Sequence, residues 1–536
     1  MRRSSLIPSL LALALAAFSQ TLDPAKLSQP PTDSWPSYNG DYSGRRFSPL
    51  TQITDANVHQ LSLAWVHRVQ VAGGGQFPGS IKSTPVVVGG VMFFTIPDHV
   101  WAIDARTGRE LWHFTWPSRG GIHIGNRGVA VSGKWLFFTT PDCNLVSLNL
   151  SDGKERWHKP ICDPDLLYFS SAAPLIVGNH VISGISGDDL DVPGYIQSHD
   201  PETGERQWRW YTYPEKGSPE AKTWPTVEAM MHGGGMTWGA VTYDPALNMI
   251  YFGTGNPQPV IAHKGREGDN LYTECIIALD ATSGKLRWYF QPSPHDTHDW
   301  DANQTPVLID GVLNGQPRKL IAQASRNGYF FLLDRTTGKN IVSSTFAKTN
   351  WSKGLDSRGQ PIPDPAKYPQ IDGALVAPNQ AGAANWPPPS FSPATGLFYV
   401  NASNAYSVYY IFDADDKPEG WGGNDRGGFS EAMLQAIDYQ TGKVKWSHKW
   451  EGPGGPRNGV LSTAGNVVFA ADPQANFVAL NATTGQALWR ANLGNGASNA
   501  PISYALDGAQ YVVVAANDTM YGFVMNTPPE NRRGPR

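Results

Sequence analysis

The chain has 536 residues, and its 42 Lys and Arg nearly balance its 46 Asp and Glu, which leaves a formal net charge of −4. Because the basic residues are also scattered, we expect no nucleic-acid partner. Charged residues make up only 16%, whereas Gly (56), Pro (43) and Trp (19) are abundant, which is typical of a large, turn-rich β protein.

The N-terminus has the pattern of a secretory signal peptide, which we expect to span residues 1–19. Two arginines precede an apolar run from Leu6 to Phe18, and small residues stand before a cleavage point near Gln20. The run is short for a membrane span, and no later stretch approaches the roughly 20 apolar residues that a span needs. We therefore predict an exported protein, periplasmic or secreted, with no membrane span.

One motif recurs along the chain, in which an Asp or Asn precedes a Gly and then a Trp. The first copy reads Ala-Ile-Asp-Ala-Arg-Thr-Gly-Arg-Glu-Leu-Trp and ends at Trp112. The other copies end at Trp157, Trp208, Trp288, Trp446 and Trp489, and a seventh ends at Val342. Because Asp or Asn accepts hydrogen bonds from turn amides and Gly supplies a positive φ, each copy predicts a β-hairpin.

A unit of four short strands whose Trp packs on the next unit predicts a blade of a β-propeller. Seven motifs indicate seven blades, and an eighth forms if residues 60–69 pair with strands from residues 500–524. We predict an all-β, eight-bladed propeller with tryptophan docking motifs, with seven blades as the alternative. It would be a single domain over residues 20–536, with its last blade closed by both termini. Pro- and Gly-rich insertions at 211–235 and 350–382 are expected to be loops on one face.

Three cysteines, Cys143, Cys162 and Cys275, are too few for a disulfide framework. Cys143 and Cys162 would pair if neighbouring strands bring them together, and free buried thiols are the alternative. The sequence contains no Cys-x-x-Cys-His, so we expect no covalently attached haem.

Residues 294–301 read Pro-His-Asp-Thr-His-Asp-Trp-Asp and form the densest cluster of ionisable side chains. They follow an amphipathic strand pattern at 285–290 and precede an apolar one at 306–309, so we expect a loop on a rigid scaffold. Ionisable groups clustered on such a loop indicate a functional site. A solvated polar loop is the alternative.

Oxygen-bearing side chains follow two other predicted strands. Asn256 stands after the strand pattern 249–252, where it either caps a turn or provides a carbonyl ligand for a hard metal ion. Residues 187–191 hold three carboxylates, which repel one another unless a cation compensates. This pattern indicates a Ca²⁺ site or a solvated acidic loop.

Two arginines and two tryptophans are further candidates for a binding site. Arg127 and Arg326 each precede an apolar run, and together they would suit an anionic, carbonyl-bearing ligand. Trp238 and Trp386 lie outside the repeat, so they either pack in the core or stack on a flat cofactor.

Together these motifs resemble the pyrroloquinoline quinone (PQQ) dependent alcohol dehydrogenases. The resemblance extends from Trp35 to Val524 and rests on Gly-Thr-Gly-Asn-Pro, the His-Asp cluster, Arg-Asn-Gly, Asn-Trp-Pro-Pro-Pro and the Trp repeat in combination. It implies an eight-bladed propeller that binds PQQ and Ca²⁺. It also implies metal-assisted oxidation of a small alcohol to an aldehyde or ketone, with an exported cytochrome c as electron acceptor.

The resemblance implies roles for particular residues. Asp299 would be the catalytic base, and Arg326 would lie beside the reactive quinone carbonyl. Asp189, Asn256 and Asp299 would hold the metal ion, and Asp301 matches an extra carboxylate in members that prefer a lanthanide. The positions around the cofactor are matched by Trp238, Arg127, Ser171, Arg326, Asn385 and Trp386.

The sequence departs from the family pattern at several positions. Asp189 replaces the usual Glu, Lys82 replaces Glu or Gln, His298 replaces a common Trp, and the adjacent-cysteine disulfide is absent. These departures leave the substrate range open, with a PQQ-dependent sugar or polyol dehydrogenase as one alternative. A non-catalytic propeller scaffold of the cell envelope is another, and it would explain the repeat but not the combination of site residues.

Overall fold

The computed structural model describes residues 21–70, 79–122, 124–187, 191–412, 420–455 and 458–525. Short antiparallel strands dominate these ranges, so the all-β prediction is confirmed. The helical segments are one α-helix, Val227–Met231, and the 3-10 turns Pro24–Ser28, Val58–Gln60, Pro164–Leu166, Glu220–Thr223 and Pro365–Lys367. No described helix has the length and apolar character needed to cross a membrane. The predicted signal peptide, residues 1–19, lies outside the described residues.

The described strands form eight sheets of four or five strands and one separate hairpin. Five four-stranded sheets follow one another along the chain. The first consists of Val86–Val88, Val91–Ile96, His99–Asp104 and Glu110–Thr115, and the second of Ala130–Ser132, Trp135–Thr139, Asn144–Asn149 and Glu155–Pro160. The third consists of Leu175–Val177, His180–Gly184, Tyr195–His199 and Arg206–Tyr211, the fourth of Thr242–Asp244, Met249–Gly253, Ile276–Asp280 and Leu286–Phe290, and the fifth of Val307–Leu313, Gln316–Ala324, Tyr329–Asp334 and Asn340–Thr345.

The next two sheets are larger. One consists of Ala374–Val376, Leu397–Ile411, Gly423–Asp438 and Val444–Lys449. The strand Ser390–Ser392 also pairs with Leu397–Ile411. The other consists of Leu461–Thr463, Val467–Ala471, Asn476–Asn481 and Ala487–Asn492, and Phe47–Ser48 joins its edge in parallel.

The remaining four-stranded sheet combines an early strand with the last three strands of the described chain. Leu61–Arg68 pairs antiparallel with Thr519–Met525, and Ala509–Ala516 and Ile502–Leu506 complete the sheet. An early strand therefore forms the edge of a sheet whose other strands come from the last residues of the fold. This pairing joins the two ends through backbone hydrogen bonds.

Six of the seven motif glycines lie against a tryptophan of the preceding sheet. Gly284 has φ +68°, and a Cβ atom there would lie 2.6 Å from Cε3 of Trp208. The indole Nε1 of Trp208 donates to the carbonyl of Ala281 at 3.1 Å. The same glycine contact joins Trp65 to Gly108, Trp112 to Gly153, Trp157 to Gly204, Trp288 to Gly338 and Trp446 to Gly485. Only glycine combines the positive φ with the absence of a side chain at this contact.

The seventh copy of the motif uses smaller side chains for the same contact. Gly442 faces Val342, whose Cγ1 would lie 2.7 Å from an added Cβ, and the neighbouring Ser344. The hydroxyl of Ser344 donates to the carbonyl of Gly442 at 2.8 Å. A valine and a serine thus occupy the place that a tryptophan has elsewhere.

The two insertions are more ordered than the expected plain loops. The first insertion, residues 211–235, contains Glu220–Thr223 and Val227–Met231. The second insertion, residues 350–382, contains the hairpin of Ser352–Leu355 and Pro361–Pro363, the turn Pro365–Lys367 and the strand Ala374–Val376. The expectation was wrong because such short elements depend on local caps and pairings that leave little periodicity in the sequence.

Cys143 and Cys162 form a disulfide bond, and Cys275 is a buried free cysteine. Cys143 precedes the strand Asn144–Asn149, and Cys162 follows the strand Glu155–Pro160 that pairs with it. Since Asn144 lies opposite Pro160, the strand register brings the two thiols together.

The docking contact predicts a difference between two Gly→Ala substitutions. Gly284 and Gly494 both have positive φ, +68° and +77°, but nothing lies within 4 Å of a Cβ built at Gly494. Both substitutions carry backbone strain, and only Gly284→Ala also forces a side chain into Trp208. We expect Gly284→Ala to lower the free energy of unfolding by about 1–3 kcal/mol more than Gly494→Ala. Equal losses in chemical unfolding experiments would contradict the docking role.

The disulfide predicts the number of reactive thiols. Alkylation of the unfolded, unreduced protein should label Cys275 alone, and prior reduction should add Cys143 and Cys162. Mass spectrometry of the labelled peptides measures this directly. Labelling of all three cysteines without reductant would show that the bond does not form.

Candidate active site

The cluster at residues 294–301 forms the connection between the strands Leu286–Phe290 and Val307–Leu313. The side chain of Asp296 is buried, and its Oδ2 accepts hydrogen bonds from the backbone N–H groups of His298 and Trp300, both at 3.2 Å. His298 stacks on Trp300 with ring centroids 4.3 Å apart. These contacts hold the shape of the loop.

Asp299 and Asp301 are joined through one arginine. Arg326 lies between the strands Gln316–Ala324 and Tyr329–Asp334. Its Nη2 donates to Oδ2 of Asp299 at 2.9 Å, and its Nη1 donates to Oδ2 of Asp301 at 2.6 Å. All three side chains are at most 8% exposed. Burial lowers the pKa of Arg326, but Asp299 and Asp301 outweigh it and raise this pKa above its ordinary value, so the guanidinium stays charged.

Asn256 contacts this group from the end of the strand Met249–Gly253. Its backbone N–H donates to Oδ1 of Asp301 at 2.7 Å. Its side-chain Oδ1 is buried and has no hydrogen-bond partner among the described residues. A buried carbonyl oxygen without a described partner, in a residue whose backbone contacts the carboxylate of Asp301, fits a ligand of a hard cation.

A second group of predicted residues surrounds Arg127. Its Nη1 donates to Oγ of Ser171 at 2.5 Å. Its guanidinium carbon lies 4.6 Å from the ring centre of Trp238 and 5.2 Å from that of Trp386. A planar cationic group therefore already stacks beside two indole rings. Asn385 accepts from the backbone N–H of Trp386 at 2.7 Å and so fixes the turn that carries this tryptophan.

One cavity of about 210 Å³ brings the two groups together. Its walls include Lys82, Arg127, Ser171, Trp238, Asp299, Asp301, Arg326, Asn385 and Trp386. Asn256 adjoins this wall through its hydrogen bond to Asp301. The predicted metal ligand Asp189 lies outside the described residues.

Lys82 adds a second cation next to Arg127. Burial lowers the pKa of Lys82, and the neighbouring guanidinium lowers it further. The Nζ atom donates to the carbonyl of Ile124 at 2.6 Å. One part of the cavity wall is therefore cationic, whereas another part holds Asp299 and Asp301, whose charge Arg326 partly balances.

Sequence reasoning missed two residues of this site, Glu274 and Gln380. Burial raises the pKa of Glu274 well above its usual range, and nearby Asp296 and Asp301 raise it further. A carboxylate directly before the apolar residues 275–279 could have drawn attention to it. Gln380 donates from Nε2 to Oδ2 of Asp299 at 2.9 Å, and nothing in its surrounding sequence marks it as part of a site.

Comparison with known protein families accounts for this arrangement. Residues 35–370 match the family described as glucose/ethanol/alcohol dehydrogenase, beta-propeller domain, whose label is PQQ. The chain belongs to this family. The prediction of a PQQ-dependent alcohol dehydrogenase, an oxidoreductase with a propeller fold, is confirmed. Residues 430–527 also match the family of the outer membrane protein assembly factor BamB.

Individual relatives align along nearly the whole chain. The quinohemoprotein alcohol dehydrogenase of Comamonas testosteroni is 36% identical, with 94% of this chain and 75% of the relative covered. Its crystal structure superposes with a TM-score of 0.86 over 97% of this chain and 84% of that one. The quinoprotein alcohol dehydrogenase PedH of Pseudomonas putida is 36% identical over 96% of this chain and 91% of the relative. A europium-containing methanol dehydrogenase is 28% identical, with a TM-score of 0.84 over 93% and 99% of the two chains.

The buried ion pairs of this quinoprotein predict a strong effect of removing the guanidinium. Arg326→Met leaves two buried carboxylates without their counter-charge and should lower the free energy of unfolding by about 3–5 kcal/mol in metal-free protein. The exposed pair of Arg68 and Asp518 provides the control, since Arg68→Met should lower it by less than about 1 kcal/mol. Chemical unfolding measures both changes, and similar small losses would contradict the bridging role of Arg326.

Proposed function

We propose that this protein oxidises the hydroxyl group of an alcohol to an aldehyde or ketone, with PQQ and one metal ion as cofactors. The observation that carries this proposal is the Asp299–Arg326–Asp301 group, which lines the same cavity as Arg127 and two indole rings. Buried carboxylates held by an arginine at a cavity are suited to proton transfer beside a bound organic group. Membership of the alcohol dehydrogenase family supports the same conclusion.

The metal ion would be held by oxygen atoms alone. Asn256 offers a buried carbonyl oxygen without a described partner, and Asp299 and Asp301 offer carboxylates. The resemblance to the family adds Asp189, from the acidic sequence 187–191, as the fourth ligand. Oxygen ligands favour Ca²⁺ or a similarly sized trivalent lanthanide over softer ions. The similarity to a europium-containing methanol dehydrogenase, together with the additional carboxylate of Asp301, supports the lanthanide alternative.

The cofactor would occupy the cavity beside the two tryptophans. Trp238 and Trp386 provide flat apolar surfaces, as the stacking of Arg127 on both rings illustrates. Arg127 and Ser171 are placed to bind a carboxylate of the ligand, and Lys82 adds positive charge on the same side. When bound, the quinone supplies the oxidant and the cation supplies Lewis acidity.

The remaining chemistry belongs to side chains of this protein. Asp299 would take the proton of the substrate hydroxyl. Arg326 places a positive charge beside the carboxylate of Asp299 and fixes one of its oxygens through the 2.9 Å hydrogen bond. Both side chains of this pair are at most 8% exposed, so the surrounding residues exclude most bulk water from them.

Export and the electron acceptor complete the proposal. The disulfide between Cys143 and Cys162 supports an oxidising compartment, in agreement with the leader-like pattern of residues 1–19. In that compartment a soluble cytochrome c would accept the electrons. The match to the assembly-factor family covers residues 430–527, which contain none of the proposed site residues, so it does not favour a scaffold role.

The proposed base predicts the behaviour of Asp299→Asn. Purified protein is supplied with PQQ and either Ca²⁺ or La³⁺, and dye-linked oxidation is measured with simple alcohols, polyols and sugars. The variant removes the basic oxygen but keeps the size of the side chain, so turnover should fall by at least about 1,000-fold while quinone binding is retained. This panel also distinguishes an alcohol from a sugar or polyol as substrate.

Asp310→Asn is the matched control, because Asp310 is 76% exposed on the adjacent strand and should be dispensable. Wild-type activity in Asp299→Asn would remove this residue from the mechanism. A wild-type protein that turns over none of the substrates with either ion would overturn the proposed function.

A further inference from the structure

The residues before and after Asp299 in the sequence both donate hydrogen bonds to the second insertion. Nε1 of Trp300 donates to the backbone carbonyl of Asn379 at 3.0 Å. On the other side of Asp299, Nε2 of His298 donates to the backbone carbonyl of Lys367 at 3.0 Å. The second insertion therefore fixes the loop that carries the proposed base.

The same insertion also contacts the turn that carries Arg326. Nε1 of Trp351 donates to the backbone carbonyl of Asn327 at 2.9 Å. The backbone carbonyl of Gln380 accepts from Nε and Nη2 of Arg326 at 3.1 and 2.8 Å. The second insertion thus reaches both members of the Asp299–Arg326 ion pair.

Gln380 is the residue at which these contacts meet. Its Nε2 donates to Oδ2 of Asp299 at 2.9 Å, and the same oxygen accepts from Nη2 of Arg326 at 2.9 Å. Its side chain therefore contacts the carboxylate while its main chain contacts the guanidinium. Two donors that converge on one carboxylate oxygen restrict the rotation of the carboxylate plane.

The backbone of Asp299 makes such support necessary. Its φ is +61°, in the left-handed region, which is unfavourable for a residue with a Cβ atom. Such conformations persist where the surrounding structure fixes them, and they often occur at functional sites. The contacts of Trp300, His298 and Gln380 with the second insertion provide that support.

We propose that Gln380 is a positioning residue, which orients the carboxylate of Asp299 for proton transfer. The second insertion is then part of the active site rather than a surface loop. This inference rests on the proposed function, because it assigns Gln380 a role through the base that the proposed function names.

The substitution Gln380→Met tests this role. It removes the amide donor but keeps the side-chain volume and the main-chain carbonyl that accepts from Arg326. We expect kcat to fall about 10- to 100-fold, as is typical when a partner that orients an active-site group is lost. The KM for the alcohol and the affinity for PQQ, measured by titration calorimetry, should change by less than about threefold, because the substrate and cofactor contacts remain.

Gln370→Met is the matched control, because it makes the same change at an exposed glutamine elsewhere in the second insertion. Its side chain takes part in none of the site contacts described above, and we expect kcat to stay at the wild-type value. An unchanged kcat in Gln380→Met would overturn the proposal. So would equal losses in both variants, which would indicate a general disturbance of the insertion.

A second measurement does not depend on activity. Gln380→Met is made in the wild-type background and in Asp299→Ala, and the melting temperatures of the four metal-free proteins are compared. We expect Gln380→Met to lower the melting temperature in the first background and to change it little in the second. An equal shift in both backgrounds, including no shift, would overturn the contact. If wild-type protein lacks turnover, the proposed function fails, and this comparison still decides the role of Gln380.

Discussion

The packing of a tryptophan on a glycine turn is the contact on which the rest of the structure depends. Each such pair fixes one sheet against the next, and the indole N–H often adds a hydrogen bond to a carbonyl of the following turn, as Trp208 does to Ala281. No side chain other than hydrogen fits at the glycine, so neighbouring sheets can approach closely at this contact. The shared sheet of Leu61–Arg68 and Thr519–Met525 then joins the two ends.

This repeated spacing explains why residues far apart in sequence meet at one cavity. Arg127, Ser171, Trp238 and Asp299 each lie before the first strand of a sheet, and Trp386 lies shortly before Ser390–Ser392. Arg326 lies in the turn between the second and third strands of its sheet, as does Asn256. In antiparallel sheets these two kinds of connection lie at the same end. Sheets held side by side therefore present them on a common face.

The repeat made the strands and hairpins predictable, because its Asp, Gly and Trp each have one local function that the structure reproduces at Gly284 and its equivalents. The site residues Asp299, Asn256 and Arg326 were found because their motifs resemble those of a known family. The sequence could not predict the contacts among these residues, because Arg326 could have paired with any of several carboxylates.

Other features could not be predicted, and the reasons are physical. The bond between Cys143 and Cys162 depends on the register that places Asn144 opposite Pro160. Gln380 acts through one amide hydrogen bond from an insertion without periodicity, so no local pattern distinguishes it from other polar residues there. Such contacts arise from tertiary structure alone.

The central claim is that one site binds both a quinone and a metal ion. Oxygen atoms of Asn256, Asp299 and Asp301 would hold the metal ion, and the cavity lined by Arg127 and two indole rings would hold the quinone. Direct measurement of bound cofactors tests this claim. Native mass spectrometry of protein mixed with PQQ and Ca²⁺ or La³⁺ should show one quinone and one metal ion per chain. Asn256→Leu, which removes the buried carbonyl oxygen, should lose the metal ion at the same concentrations. A chain that binds no quinone with either ion, or an Asn256→Leu variant that binds metal as the wild type does, would contradict the claim.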